Sequence, residues 1–171
     1  MFFNTYTNAT GAYSIDMLIR WVNEFKIKGK VYPIDDFKIA MGQNVWGSGK
    51  NMSAPVEVLL HPEKHKDDHA AIMASNLKYP ILFTGKEVVD GYHRIAKTMM
   101  LGLPTILAIY VPDKVWRSCY LTKHVDDVDN MTAYGIMELY DTRFRSAKNR
   151  NAMKSAVTAS KKSKKDVMQK H

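Results

Sequence analysis

The run Glu87-Val88-Val89-Asp90-Gly91-Tyr92-His93-Arg94-Ile95-Ala96-Lys97-Thr98 gathers the residue types that phosphate chemistry needs within twelve positions. A strand ends at Asp90, Gly91 permits a tight turn, and a helix begins with His93 and Arg94 in its first turn. Amides at a helix start have no partner inside the helix and carry the positive end of its dipole, which makes the turn a natural anion site. Arg94 adds a fork of donors suited to phosphate oxygens. Lys97 follows at i+3 from Arg94 and i+4 from His93, so the three cations share a side of the helix. Asp90 stands where it could hold a divalent ion or orient His93. A plainer reading fits the same spacing: Asp90 caps the helix, and His93, Arg94 and Lys97 form a solvated face.

The elements that must position this turn are readable on both sides. Pro80-Ile81-Leu82-Phe83 is a strand opened by its proline, Thr84-Gly85-Lys86-Glu87 a tight turn, and Val88-Val89 the return strand. The helix, Tyr92 to Leu101, stops at Gly102 with Pro104 following. Thr105–Val111 is the longest β-rich run and reads as a central strand. Upstream, Ser14 is placed to cap a helix carrying Ile15, Leu18, Ile19, Val22 and Phe25, with Gly29 as its stop. Val31–Ile34 is short and extended, and residues 42–53 form a glycine-rich loop around Trp46. Pro55–Leu60 suggests a strand. Residues 64–75 suggest a helix with Ala70, Ile72 and Met73 available for burial. A mostly helical region, about Met131 to Arg145, follows Pro112. Strands alternating with helices predict an α+β or α/β domain.

Composition bounds the rest. The 171 residues carry a net charge of +8, with 46% hydrophobic and 25% charged residues, which excludes wholesale disorder. One cysteine, Cys119, excludes an internal disulfide framework and a cysteine-rich metal site, and fits a reducing compartment. No apolar run reaches the ~18 residues of a membrane span, and the first residues lack a secretory-signal pattern. The charge is uneven. From Thr142 onward ten basic residues face the single acid Asp166, a net +9, leaving −1 for residues 1–141. Such a segment, with no aromatic after Phe144, is expected to be a solvated helix or a disordered arm.

Residues 53–111 resemble the ParB/sulfiredoxin superfamily. The resemblance runs from Ser53-Ala54-Pro55-Val56-Glu57-Val58-Leu59-Leu60-His61-Pro62, through Tyr79–Phe83 and Val88–Lys97, to Leu101-Gly102-Leu103-Pro104 and Ile109-Tyr110-Val111. Its most specific part is the D-G-x-H-R turn. It implies a compact α+β fold whose helix start binds nucleotide phosphates. Sulfiredoxins carry a cysteine where this chain has Tyr92, and a phenol cannot replace a thiolate nucleophile, so sulfinic-acid reduction is not expected. The partition proteins carry Glu-Arg where Tyr92 and His93 stand, and too little chain follows Val111 for their DNA-reading half. The free-serine kinases are nearest, sharing V-D-G-x-H-R and a glutamate near the end of the first strand, which here would be Glu63 or else Glu57. On this resemblance Gly91, Tyr92, His93, Arg94, Lys97 and Thr98 are the candidate phosphate-binding set, and Asp90 holds Mg²⁺. Asp90, His93 and Glu63 are the candidate catalytic residues, with Glu63 as base. As a residue in its own right, Glu63 also fits a surface position opening the next helix.

Three further features have two readings each. His61, His65 and His69 with Asp68 have spacing for zinc, but lack the H-E-x-x-H pattern and equally suit a solvated face. Trp46 could stack on a base or plug the edge of the core. Gly47-Ser48-Gly49-Lys50 resembles part of a phosphate loop without its full glycine pattern.

The sequence thus leads to an α+β domain over residues 13–141 and a basic tail over 142–171. The expected function is a Mg²⁺-dependent phosphotransferase or nucleotide hydrolase using ATP, ADP or CTP and, for transfer, a hydroxyl-bearing acceptor. The alternative is a DNA- or RNA-binding protein or nuclease that uses the basic tail, including the Lys161–Lys165 run, on the backbone. A third is a binding module without activity. An intracellular, cytoplasmic setting is expected, or a nuclear one in a eukaryotic host, with no membrane partner.

Overall fold

The structure is a computed structural model describing residues 4–47, 50–85 and 87–160. Strands β1 (Thr5–Asn8) and β2 (Gly11–Ser14) lead into helix α1 (Ile15–Glu24), strand β3 (Lys30–Pro33) and a 3-10 helix (Ile34–Gly42). Helices α2 (Pro55–Leu60) and α3 (Lys66–Ala74) precede the hairpin β4 (Ile81–Phe83) and β5 (Val88–Asp90), helix α4 (Tyr92–Met100) and strand β6 (Thr105–Tyr110). Helix α5 (Asp113–Ser118), strand β7 (Tyr120–Thr122), a second 3-10 helix (Val125–Asn130), helix α6 (Ala133–Tyr140), a π-turn (Asp141–Arg145) and helix α7 (Ala147–Ser160) follow. The chain is α+β. No helix among the described residues is long and apolar enough to cross a membrane.

The chain divides into two compact units, one from residues up to Lys28 together with those from Tyr110 onward, the other from Gly29–Ile109. In the first, an antiparallel sheet runs β1-β2-β7. Ser14 ends β2 and caps α1, its hydroxyl accepting from the Met17 amide at 3.1 Å, and Ile15, Met17, Leu18 and Trp21 turn inward. The helix stops at Glu24, five residues before the expected glycine. Burial of Cys119 pushes its thiol pKa up, so it is no nucleophile.

The basic segment contributes to this core, against expectation. Phe144 is 0% exposed and stacks on Tyr140 at 4.6 Å, and Met153 of α7 is 1% exposed. Arg143 donates to the carbonyls of Ser118 and Tyr120, and Arg145 pairs with Glu24 at 3.1 Å and Asp141 at 3.2 Å. A charge count misses this because two apolar side chains nine positions apart are enough to anchor a turn and a helix. The unit also begins earlier than residue 13, at β1. The Lys161–Lys165 run lies outside the described residues.

In the second unit the sheet order is β3-β6-β4-β5, which makes β6 an interior strand as its β-rich composition predicts. Tyr32, Phe37 and Phe83 pack edge to face in its core, with Phe83 5.2 Å from each of the others. Pro55–Leu60, expected as a strand, is helical. Pro55 sits in the first turn, where its missing N–H is not needed, after an extended Ala54. Of Ala70, Ile72 and Met73, only Ile72 is buried. Helix α4 ends as expected, with Gly102 left-handed at φ +65° and its amide bonded to the Met99 carbonyl at 3.0 Å.

Candidate functional site: the start of helix α4

The hairpin delivers the turn. Strands β4 and β5 pair antiparallel, with Leu82 opposite Asp90 and an irregularity between Leu82 and Phe83 that re-aims the strand end. The Thr84 amide bonds the Glu87 carbonyl at 2.8 Å to close the loop, in which Lys86 lies outside the described residues. Gly91 then takes φ +108°, ψ 21°, a conformation that L side chains rarely adopt. A Cβ there would stand 2.5 Å from Ile81 Cγ2 and 2.9 Å from Arg94 Nη2. Only glycine fits. The first helical hydrogen bond runs from the Ile95 amide to the Gly91 carbonyl, and the N-cap residue is Gly91 itself, which has no side chain to cap the first turn. The amides before Ile95 therefore have no partner within α4.

The expected site residues diverge from this point. Arg94 Nη2 lies 2.5 Å from Asp90 Oδ2, while Arg94 Nε is buried with no hydrogen-bond partner among the described residues. His93 is half-buried, its ring stacked on Trp46 at 4.4 Å and 12°, and its Nε2 is likewise buried and unpartnered. Lys97, expected on phosphate, is instead turned to helix α3, donating to the carbonyls of Met73 at 2.6 Å and Ser75 at 2.7 Å. Carbonyls at a helix end lack internal partners, so a nearby ammonium is drawn there. Thr98 is buried and bonds back to the Arg94 carbonyl at 2.7 Å. The Tyr92 hydroxyl is also turned inward, 2.9 Å from both Gln43 Oε1 and the Val88 carbonyl.

Glu63 follows a helix rather than a strand. Its side chain is 65% exposed, its carboxylate lies 3.7 Å from His61 Nδ1, and no hydrogen bond or ion pair among the described residues ties it to Asp90, His93 or Arg94. Glu57, the other candidate, is exposed in the first turn of α2. The zinc reading of His61, His65, His69 and Asp68 fails on geometry. Helix α3 begins only at Lys66, so the three histidines do not share one helical face. No group of three or more His, Cys, Asp or Glu side chains able to hold a metal gathers among the described residues.

Trp46 is the residue of the glycine-rich loop that reaches the site. A small bridge between Trp46 and Ser53 holds it, with the Ser53 amide donating to the Trp46 carbonyl at 2.8 Å. It is half-buried over His93 rather than sealed in the core. Ser48 and Gly49 of the phosphate-loop fragment lie outside the described residues. Gln43 and Ile81 went unread as partners of the turn, since neither residue type marks itself in sequence.

Burial holds the His93 pKa below its ordinary value. Arg94 acts in the same direction, and the carboxylates of Asp68 and Asp90 oppose it. Folding therefore favours the neutral ring. This contribution to stability is full above about pH 6.5 and is lost as pH falls through the native value. An NMR titration of the His93 ring is expected to give a midpoint below that of free imidazole. Trp46→Ala should move it back upward, because it removes the apolar cover; an unmoved midpoint would deny Trp46 this role.

The turn thus combines a helix start with glycine at its N-cap, two buried side-chain nitrogens without hydrogen-bond partners among the described residues, and a carboxylate bonded to a guanidinium. Compared with protein-family models, with curated proteins and with solved structures, the chain finds no match.

Proposed function

We propose that the start of helix α4 binds the phosphates of a nucleotide, and that the chain is a Mg²⁺-dependent phosphotransferase or nucleotide hydrolase of ParB/sulfiredoxin type. The observation that carries this reading is the glycine-only turn at Gly91. His93 Nε2 is buried and unpartnered beside this turn, and the helix-start amides are joined by Arg94 Nε, likewise buried and without a hydrogen-bond partner among the described residues. Such donors fit an oxyanion placed against the helix start. The resemblance of residues 53–111 supports the same reading.

The residues fit Mg²⁺ in a limited way. Asp90 is 30% exposed and offers a carboxylate, and Mg²⁺ commonly takes one or two carboxylates with the remaining oxygens from phosphates and water. When bound there, the ion would neutralise charge on the transferring phosphoryl group. Arg94 and the α4 amides would hold phosphate oxygens. His93, neutral at pH 7 and fixed by Trp46, would take the proton of the attacking hydroxyl or water on Nε2, as that oxygen bonds to phosphorus and the leaving phosphate departs. Glu63 has no place in this step.

Calorimetry with ATP, ADP and CTP in Mg²⁺ tests the reading. Arg94→Ala is expected to weaken binding by about 1.5–3 kcal/mol, roughly ten- to hundredfold. Equal binding by the variant, or no nucleotide binding at all, would remove its basis.

The exposed Lys148, Arg150 and Lys154 of α7 favour a second reading, contact with nucleic acid. Replacing the three with glutamine tests it without removing Phe144 and Met153. A gel shift and its salt dependence should both weaken, and no change would exclude α7.

A further inference from the structure

Within the first unit, one face of α1 carries Asp16, Ile19, Arg20, Asn23 and Glu24 at spacings of i, i+3, i+4, i+7 and i+8. With Arg145 of the π-turn they line a cleft of about 510 Å³, a size usual for small-molecule sites. One wall is committed to internal bonds. Glu24 accepts from the Tyr140 hydroxyl at 3.0 Å and from Arg145 Nε at 3.1 Å, and Arg145 Nη1 lies 3.2 Å from Asp141. The π-turn presents Arg145 to this wall, and single π-turns recur at functional sites.

The other wall has unused hydrogen-bonding groups. Asp16 and Arg20 have the spacing of a favourable helical ion pair, but they do not pair with each other. Arg20 lies instead over the Tyr140 ring at 4.4 Å, with Asp141 Oδ1 at 3.6 Å, and makes no hydrogen bond among the described residues. Asp16 Oδ2 accepts from the Asn4 amide at 3.0 Å, which leaves Oδ1 without a partner among the described residues. Ile19, on the same face, is 39% exposed. A lone anion at Arg20 would meet the carboxylates of Asp16, Glu24 and Asp141. A lone cation at Asp16 would meet the guanidiniums of Arg20 and Arg145. Cβ atoms four positions apart on a helix stand about 6 Å from each other, so one head group carrying both charges can span Asp16 and Arg20.

We propose that this cleft binds a small zwitterion, an α-amino acid with an apolar side chain. Its carboxylate meets Arg20 and the Asn23 amide, its ammonium meets Asp16, and its side chain covers Ile19. The cleft shares no residue with the start of α4.

Leucine is the probe, titrated into the full chain and followed by proton–nitrogen NMR. Two analogues each lack one charge: leucinamide has no carboxylate, and 4-methylpentanoate has no ammonium. Leucine is expected to give saturable shifts in the amides of α1, and each analogue to bind about tenfold or more weakly. Asp16→Asn, which keeps an oxygen for the Asn4 amide, should weaken leucine about tenfold and leave 4-methylpentanoate no weaker than before. The same spectra show whether the variant is folded, and the ranking of the three probes stands without it. Leucine binding no better than either analogue, shifts confined to other elements, no leucine binding at all, or undiminished leucine binding by folded Asp16→Asn overturns the proposal.

Discussion

Gly91→Ala is expected to lower the stability of the chain by about 3 kcal/mol and to dismantle the start of α4. Two effects add. A residue with a Cβ is strained at φ +108°, and that Cβ would stand 2.5 Å and 2.8 Å from two carbons of Ile81, which is 0% exposed and packed in the sheet. Neither side can yield cheaply, because the clash lies near the branch point of Ile81 rather than at a flexible tip. Gly102→Ala is the internal control. Its φ is +65°, but an added Cβ meets nothing within 4 Å, so only the conformational cost of about 1 kcal/mol applies. Urea denaturation of both variants should separate them by about 2 kcal/mol. Equal losses would mean that Ile81 does not wall the turn.

Phe144→Ala should cost about 3–5 kcal/mol. The ring is fully buried and stacked at 9° on Tyr140, whose hydroxyl in turn donates to Glu24 at 3.0 Å. Its loss opens a cavity that the flanking π-turn cannot collapse without moving Arg143 and Arg145, both of which have partners of their own. Lys148→Ala, an exposed change in the same basic segment, should stay within about 0.5 kcal/mol. Thermal or urea denaturation decides whether this segment belongs to the folded unit. Near-equal effects would return Phe144 to a loosely attached arm.

The contrast between these residues shows which signals are local. The β4–β5 hairpin, α4 with its Gly102 stop, and the Ser14 cap could be read because each rests on chemistry within a few residues: a proline opening a strand, a left-handed glycine, a hydroxyl facing an amide. Pro55–Leu60 was misread because valine and leucine favour a strand, while the decisive residue, a proline suited to the first helical turn, suits either element. Strands β1 and β7 have too few apolar residues to announce themselves and gain their form from pairing with β2. The candidate site divides in the same way. Gly91 follows from the turn itself, whereas Asp90, expected to hold an ion, orient His93 or cap the helix, is bonded to Arg94 one turn on. The partners of Lys97 lie on α3 and those of Tyr92 include Gln43, so tertiary packing decides both, and helical spacing alone put Lys97 on the wrong ligand.

The central claim is that the start of α4 receives phosphate. The most direct measurement is a proton–nitrogen NMR titration of the full chain with ATP in Mg²⁺, following the backbone amides of Gly91, Tyr92, His93 and Arg94. The account predicts saturable shifts centred on those four amides, with a midpoint roughly ten- to hundredfold higher in Arg94→Ala. Shifts confined to other elements, or none as nucleotide is raised, would contradict it.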